Sequence, residues 1–182
     1  MDQAWKTCKG TLYEYAIFKY IQNVVSSDEK LKKFKVLMGE DARDQHTEQI
    51  VIRNWSEIFP DVDILIVEDE SVRAIISCKT SMRERLTETA FWKRELERRG
   101  RNIKLLFITT DKDNELRIDT NRYILLHVID CTFVTDPEKY KSLVKSYEEK
   151  YGDRADFESL ISKVRPVDDL GVLLKTLINY MP

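Results

Sequence analysis

Pro60-Asp61-Val62-Asp63-Ile64-Leu65-Ile66-Val67-Glu68-Asp69-Glu70-Ser71-Val72-Arg73-Ala74-Ile75-Ile76-Ser77-Cys78-Lys79 is the stretch on which the reading of this chain turns. Residues 61–67 and 72–79 are β-rich runs, and the polar Glu68-Asp69-Glu70-Ser71 between them has the character of a tight turn. A hairpin centred on residues 69 and 70 sets Asp63 opposite Ile76 or Ser77, and Asp61 opposite Cys78 or Lys79. Side chains alternate along a strand, so Asp61 and Asp63 share a face, as do Ser77 and Lys79. Two acids and a lysine can therefore converge at the open end of the hairpin.

Upstream, Leu12, Tyr15, Ala16, Tyr20 and Val24 recur at helical spacing over residues 10–26, and Val51, Trp55 and Ile58 give a second helix over 43–58. Downstream, a basic amphipathic helix is predicted over 82–99, closed by Gly100, followed by strands at 103–110 and 123–129 and helices at 137–151, 156–164 and 168–180. There is no internal repeat or low-complexity linker. The order implies one α/β domain over residues 1–182, its central mixed β-sheet flanked by helices on both faces.

The 182 residues, 42% hydrophobic and 34% charged, suffice for one substantial core. No run approaches the roughly 18 apolar residues of a membrane span, and Met1-Asp2-Gln3-Ala4-Trp5-Lys6 resembles no signal peptide, so a cytoplasmic protein is expected. Cys8, Cys78 and Cys131 lack CxxC spacing and have only His46 and His127 to complete a zinc site. They read as reduced thiols and both histidines as structural. The net charge of −2 hides an uneven distribution: residues 79–104 carry nine basic side chains against four acidic ones, a local +5 within a chain otherwise at −7.

Magnesium takes hard oxygen ligands and keeps several of its waters, so a strand carboxylate, a backbone carbonyl and one further carboxylate can hold it for phosphodiester hydrolysis. A neighbouring lysine can orient or help deprotonate the attacking water. Pro60-Asp61-Val62-Asp63 with Ser77-Cys78-Lys79-Thr80-Ser81 resembles the motif of type II restriction endonucleases of the PD-(D/E)XK superfamily. That family usually carries an acid two positions before the lysine, where this chain has Ser77. A subgroup that reads CC:GG-type sites has the same Ser-x-Lys strand and draws its second acid from the following helix. The resemblance thus implies catalysis by Asp63, Lys79, Glu88 and Ser77, with Mg2+ held by Asp63, the Cys78 carbonyl and Glu88, and with Asp61 either binding a second ion or only shaping the field. Asp61 and Asp63 compete for the main ligand role; Glu84, Glu95, Glu14 and Glu48 stay open as alternatives to Glu88, and several members place that acid where this chain has Trp92.

Arg83-Glu84-Arg85, near the expected helix start, resembles the element with which that subgroup reads G·C pairs: Arg pairs with guanine O6 and N7, and Glu accepts from cytosine N4. Lys93, Arg94, Arg98, Arg99 and Arg101 are candidates for phosphate contacts. Phe91 and Trp92 read as core more readily than as base-stacking groups. The implied activity is Mg2+-dependent cleavage of double-stranded DNA at a palindrome by a homodimer, paired with a separate DNA methyltransferase. Alternatives are a repair or recombination nuclease and a non-catalytic DNA-binding module.

Overall fold

The computed structural model describes residues 3–53, 55–81 and 85–179. Its elements are α1 (Gln3–Ser27), β1 (Phe34–Met38), α2 (Gly39–Gln45), α3 (Thr47–Ile50), β2 (Ile52–Arg53), β3 (Glu57–Ile58), β4 (Ile64–Glu68), β5 (Ser71–Lys79), α4 (Arg85–Arg98), β6 (Lys104–Thr109), α5 (Asp119–His127), β7 (Cys131–Val134), α6 (Pro137–Tyr151), α7 (Phe157–Ile161), β8 (Val164–Pro166) and α8 (Leu170–Asn179). Six strands form a sheet in the order β1-β4-β5-β6-β7-β8. β1, β4 and β5 pair antiparallel, and β5 to β8 run parallel. Helices cover both faces, as the sequence implied. Leu65, Val67, Ile75 and Phe107 pack with Leu86 and Ala90 of α4, Ile124 of α5 and Leu143 of α6. Ile64, Ile66, Ile76 and Ile108 pack with Ile17 and Ile21 of α1 and Leu174 of α8. β4 is buried along its whole length, which is why its residues read as an unbroken apolar run instead of an alternation.

The expected hairpin forms around Asp69 and Glu70, both in the left-handed region at φ 46° and 62°. Two positive φ values side by side give a primed turn, whose twist suits paired strands. Gly100, at φ 69°, ends α4, its N–H donating to Glu97 O while that of Arg101 reaches Leu96 O. Asp136 caps α6 by accepting from the Glu138 and Lys139 amides, with Pro137 opening the first turn.

Three expected elements differ. The helix foreseen over 43–58 breaks into α2 and α3 and gives way to the β2–β3 hairpin, where β-branched Val51-Ile52 favours an extended chain; Trp55 and Ile58 are exposed, not on a core face. The strand foreseen over 123–129 is helix α5, and the strand follows at Cys131–Val134. Ile124-Leu125 belongs to a short apolar run, which periodicity alone assigns equally to a buried helix or strand. The predicted helix at 156–164 stops at Ile161 and yields β8. Among the described residues no helix is long and apolar enough to cross a membrane, and Cys8, Cys78 and Cys131 are free thiols.

Candidate active site

A β-bulge determines how the hairpin presents its acids. Next to the turn, Glu68 pairs with Ser71 and Val67 with Val72; beyond it, Ile66 pairs with Ala74, Leu65 with Ile75 and Ile64 with Ile76. Arg73 is the extra residue. Carried one position further, the shifted register sets Asp63 opposite Ser77; an unbulged hairpin on the same turn would set it opposite Ile76, on the other face. The bulge thus brings Asp63 to the face of Ser77 and Lys79.

The three residues meet at the end of β5, where the parallel strands terminate. Asp63 and Lys79 are each 8% exposed and Ser77 2%. The Lys79 ammonium donates to both Asp63 oxygens, at 3.2 Å (Oδ1) and 3.0 Å (Oδ2), and lies 2.9 Å from Asp61 Oδ2. The Cys78 amide donates to Asp63 Oδ2 at 2.6 Å. A residue's N–H and C=O point to the same side of an extended strand, so the Cys78 carbonyl faces the same edge. Gly39, at φ 64°, donates its N–H to the Asp63 carbonyl at 3.0 Å, fixing the backbone where β4 begins. Burial pushes the Asp63 carboxyl above the ordinary carboxylate range, against the partial offset of the Lys79 ammonium and the Cys78 N–H. The same burial pulls Lys79 down, but Asp63 and Asp61 outweigh it and hold the side chain as an ammonium.

A fourth group arrives from α1. Glu14 Oε1 lies 3.9 Å from Lys79 Nζ, and the neighbouring Tyr13 hydroxyl is 3.4 Å from Thr135 Oγ1, just past β7, tying this part of α1 to the strand ends. Glu14 was one of several acids the sequence left open; no local spacing rule links residue 14 to residue 79, and only the packing of α1 does so. Glu88, the sequence's choice, is exposed in the first turn of α4 and has no contact with Asp63 or Lys79 among the described ion pairs and hydrogen bonds.

The donors fit a hard divalent cation: carboxylates of Asp63, Asp61 and Glu14 surround a point already occupied by positive charge, the Lys79 ammonium. Among the described residues no three His, Cys, Asp or Glu side chains are grouped closely enough to hold a metal ion by themselves. Two or three carboxylates with water completing the shell suit magnesium better than a closed cage does.

Arg83 and Glu84, expected to read bases, lie outside the described residues, as does the side chain of Arg85. Much of the basic segment serves the protein itself. Lys93 is buried between Asp130, at 2.6 Å, and Glu97, at 3.1 Å. Arg99 donates to Arg53 O, and Arg101 to Val51 O and Glu48 O. Arg98 pairs with Glu95 at 2.9 Å. Arg94 and Arg98 share a shallow depression with His127 and Val128, about 14 and 20 Å along the axis from the start of α4, away from the strand ends. Trp92 is core, at 6% exposure, whereas Phe91 is half exposed and meets Trp92 edge-on at 5.1 Å. His46 is buried and His127 exposed beside Tyr123.

The chain resembles known proteins in fold and in sequence. The solved complex titled "Restriction endonuclease PspGI-substrate DNA complex" has a chain that superposes with a TM-score of 0.68 at 18% identity over 98% of this chain and 66% of its own, a likeness of fold. The putative type II restriction enzyme MjaVIP of Methanocaldococcus jannaschii is 30% identical over 126 residues, 63% of this chain and 56% of that protein. The probable type II restriction enzyme HpyAORF263P of Helicobacter pylori is 32% identical over 98 residues, 52% of this chain and 50% of that protein. The chain thus matches about half the length of these relatives. A family model described as BsaWI restriction endonuclease type 2 matches residues 25–160, which include the hairpin, Asp61, Asp63 and Lys79 but not Glu14. With three quarters of its length inside that match, the chain belongs to the BsaWI family of type II restriction endonucleases.

Proposed function

We propose that this chain hydrolyses phosphodiesters of double-stranded DNA at a short G·C-containing palindrome of the CC:GG type, using Mg2+ and acting as a homodimer, with a separate methyltransferase protecting the host sites. The observation that carries the reading is the contact of Lys79 with Asp63 at 3.0 Å and Asp61 at 2.9 Å at the end of β5, in a chain of this family.

Asp63, the Cys78 carbonyl and Glu14 would hold the magnesium, with Asp61 at the margin; Glu14 takes the place of the acid that Ser77 lacks. Bound there, the ion supplies charge neutralisation at the phosphate and acidifies a water ligand. Lys79, kept cationic by its two aspartates, orients the attacking water and balances negative charge as the phosphate is attacked. Ser77 is small and buried and leaves room beside Asp63. Arg83, Glu84 and Arg85, between Lys79 and the body of α4, supply the G·C contacts.

Incubation of the purified protein with long unmethylated duplex DNA, with magnesium or with chelator, tests this directly. Discrete magnesium-dependent fragments whose ends share one G·C-rich palindrome are expected. Cleavage confined to branched or mismatched DNA would replace sequence specificity with a repair role, and binding without cleavage would reduce the protein to a DNA-binding module.

A further inference from the structure

Nothing in the apolar pattern of β4 fixes its register: Ile64-Leu65-Ile66-Val67 is buried on both faces, so a one-residue slip exchanges apolar side chains for apolar side chains. Yet that slip would turn Asp63 away from Lys79. The Cys78 amide and the Lys79 ammonium hold Asp63 at the open end, and three further contacts that bear on the register converge at the other end of the hairpin. The Gln49 side chain, from α3, donates to Glu70 O at 2.7 Å and accepts from the Val72 amide at 2.8 Å, clasping the turn on one side and the residue before the bulge on the other. Glu68, with its side chain fully buried, pairs with Lys33 and, at 2.9 Å, with Arg73, the bulged residue itself. Lys35 pairs with Glu70 at 2.7 Å, across the turn residue whose left-handed backbone is uncommon for a glutamate.

We propose that Gln49, together with the Glu68–Arg73 pair, is a positioning device for the active site: it keeps the extra residue in the bulge and so sets Asp63 opposite Ser77, five residues away from Glu68. The inference rests on the nuclease reading only for its cleavage readout; the register itself is measured separately. Without the clasp the hairpin slips toward the unbulged pairing, Asp63 opposite Ile76, and only the fraction of molecules in the bulged register cleaves. Each of the two hydrogen bonds lost in Gln49→Leu shifts that equilibrium by a factor of roughly 2–10.

Deleting Arg73 supplies the complementary change. Val67–Val72 and Ile66–Ala74 then follow one another as a regular ladder, and Asp63 faces Ser77 without a bulge. The register is read by engineered disulfides: Leu65→Cys/Ile75→Cys joins residues that pair in the bulged hairpin, whereas Ile64→Cys/Ile75→Cys joins the slipped one. Residues 65 and 75 face α4, and the native thiols Cys78 and Cys131 face α1 and α8, so the first pair is insulated from them.

Gln49→Leu is expected to weaken the 65–75 crosslink, gain the 64–75 crosslink, and lower single-turnover cleavage in proportion to the loss of the 65–75 crosslink, with DNA binding unchanged. Deleting Arg73 in the Gln49→Leu background restores the 65–75 crosslink and the cleavage rate, a rescue that general destabilisation cannot produce. An unaltered 65–75 crosslink in Gln49→Leu, or a loss that the deletion does not reverse, overturns the proposal. If Gln49→Leu does not fold, the deletion in the natural background decides, because it must retain the 65–75 crosslink. A natural protein that cleaves nothing would defeat the nuclease reading and leave the crosslinks to judge the register.

Discussion

Replacing Lys79 with alanine separates the chemistry from the fold. The ammonium is 8% exposed and holds Asp63 and Asp61 at 3.0 and 2.9 Å. A positioned group of this kind contributes a factor of about 10²–10⁴ to a proton-transfer step, so single-turnover cleavage should fall by that factor. DNA affinity in calcium should stay within about threefold, since Lys79 is one charge among many. The stability effect is smaller than the nominal loss of a buried ion pair, about 3–5 kcal/mol. Asp61 is 40% exposed on its side chain and remains hydrated, and Asp63 keeps the hydrogen bond from the Cys78 amide. A net loss of about 1–3 kcal/mol remains, which lowers Tm by roughly 2–10 °C for a chain of this size. Magnesium should then stabilise the variant more than the natural protein, because the ammonium no longer competes for the same carboxylates; at a concentration of about 100 Kd the gain is about 2.7 kcal/mol. Rapid-quench cleavage, filter binding and thermal melts with and without magnesium measure all three. Cleavage within about threefold of the natural rate would refute the site, and an identical magnesium shift in both proteins would refute the competition argument.

Three further outcomes follow from particular contacts. Glu14→Gln should lower cleavage by roughly 10²-fold while Glu88→Gln, on an exposed turn, stays within a few fold; single-turnover rates for the two variants reverse this order if α4 supplies the acid. Lys93→Ala removes the buried cation from Asp130, which keeps Lys104 at 3.2 Å and the Leu105 amide, and from the exposed Glu97, and should destabilise by about 1 kcal/mol, visible as a lower denaturation midpoint with an unchanged salt dependence of DNA binding. Asp111 is 2% exposed at φ 49°, and burial raises its carboxyl although the Leu116 amide and Lys139 pull the other way. A carboxyl raised on folding favours the fold in its protonated form, so its contribution is full below the unfolded pKa and is lost as pH rises through the higher folded value. Asp111→Asn, which still accepts from Leu116 and tolerates positive φ, should therefore melt higher than the natural protein at pH 7, with the difference closing toward pH 4.

What the sequence made legible was whatever local chemistry decides. The turn at Asp69-Glu70, the helix start at Pro137 and the stop at Gly100 each rest on a few adjacent residues, and each stands where the sequence implied. Asp63 and Lys79 belong to the same class, because a hairpin converts sequence distance into contact by simple counting. The readings that changed depend on distant packing. Ile124 and Leu125 look equally like strand or helix until Leu143 and Ile161 of the neighbouring helices are beside them. Lys93 looks like a phosphate ligand until Asp130, 37 residues on, is found against it.

The counting has one weakness, and it falls at Asp63. From the turn alone, Asp63 meets Ile76; from the demand that acids and lysine share a face, it meets Ser77. The two readings differ by one residue, which the bulge at Arg73 supplies. A bulge leaves little trace in a sequence whose strands are apolar on both sides, because any alternation that could expose it is erased. The same two-sided burial that makes β4 an easy strand to recognise thus makes its register hard to read, and it transfers control of the active-site geometry to polar contacts at the far end of the hairpin. Glu68, fully buried between Lys33 and Arg73, is otherwise an expensive residue to place in a strand. Its position is intelligible once the offset it helps hold is seen to decide which face Asp63 occupies.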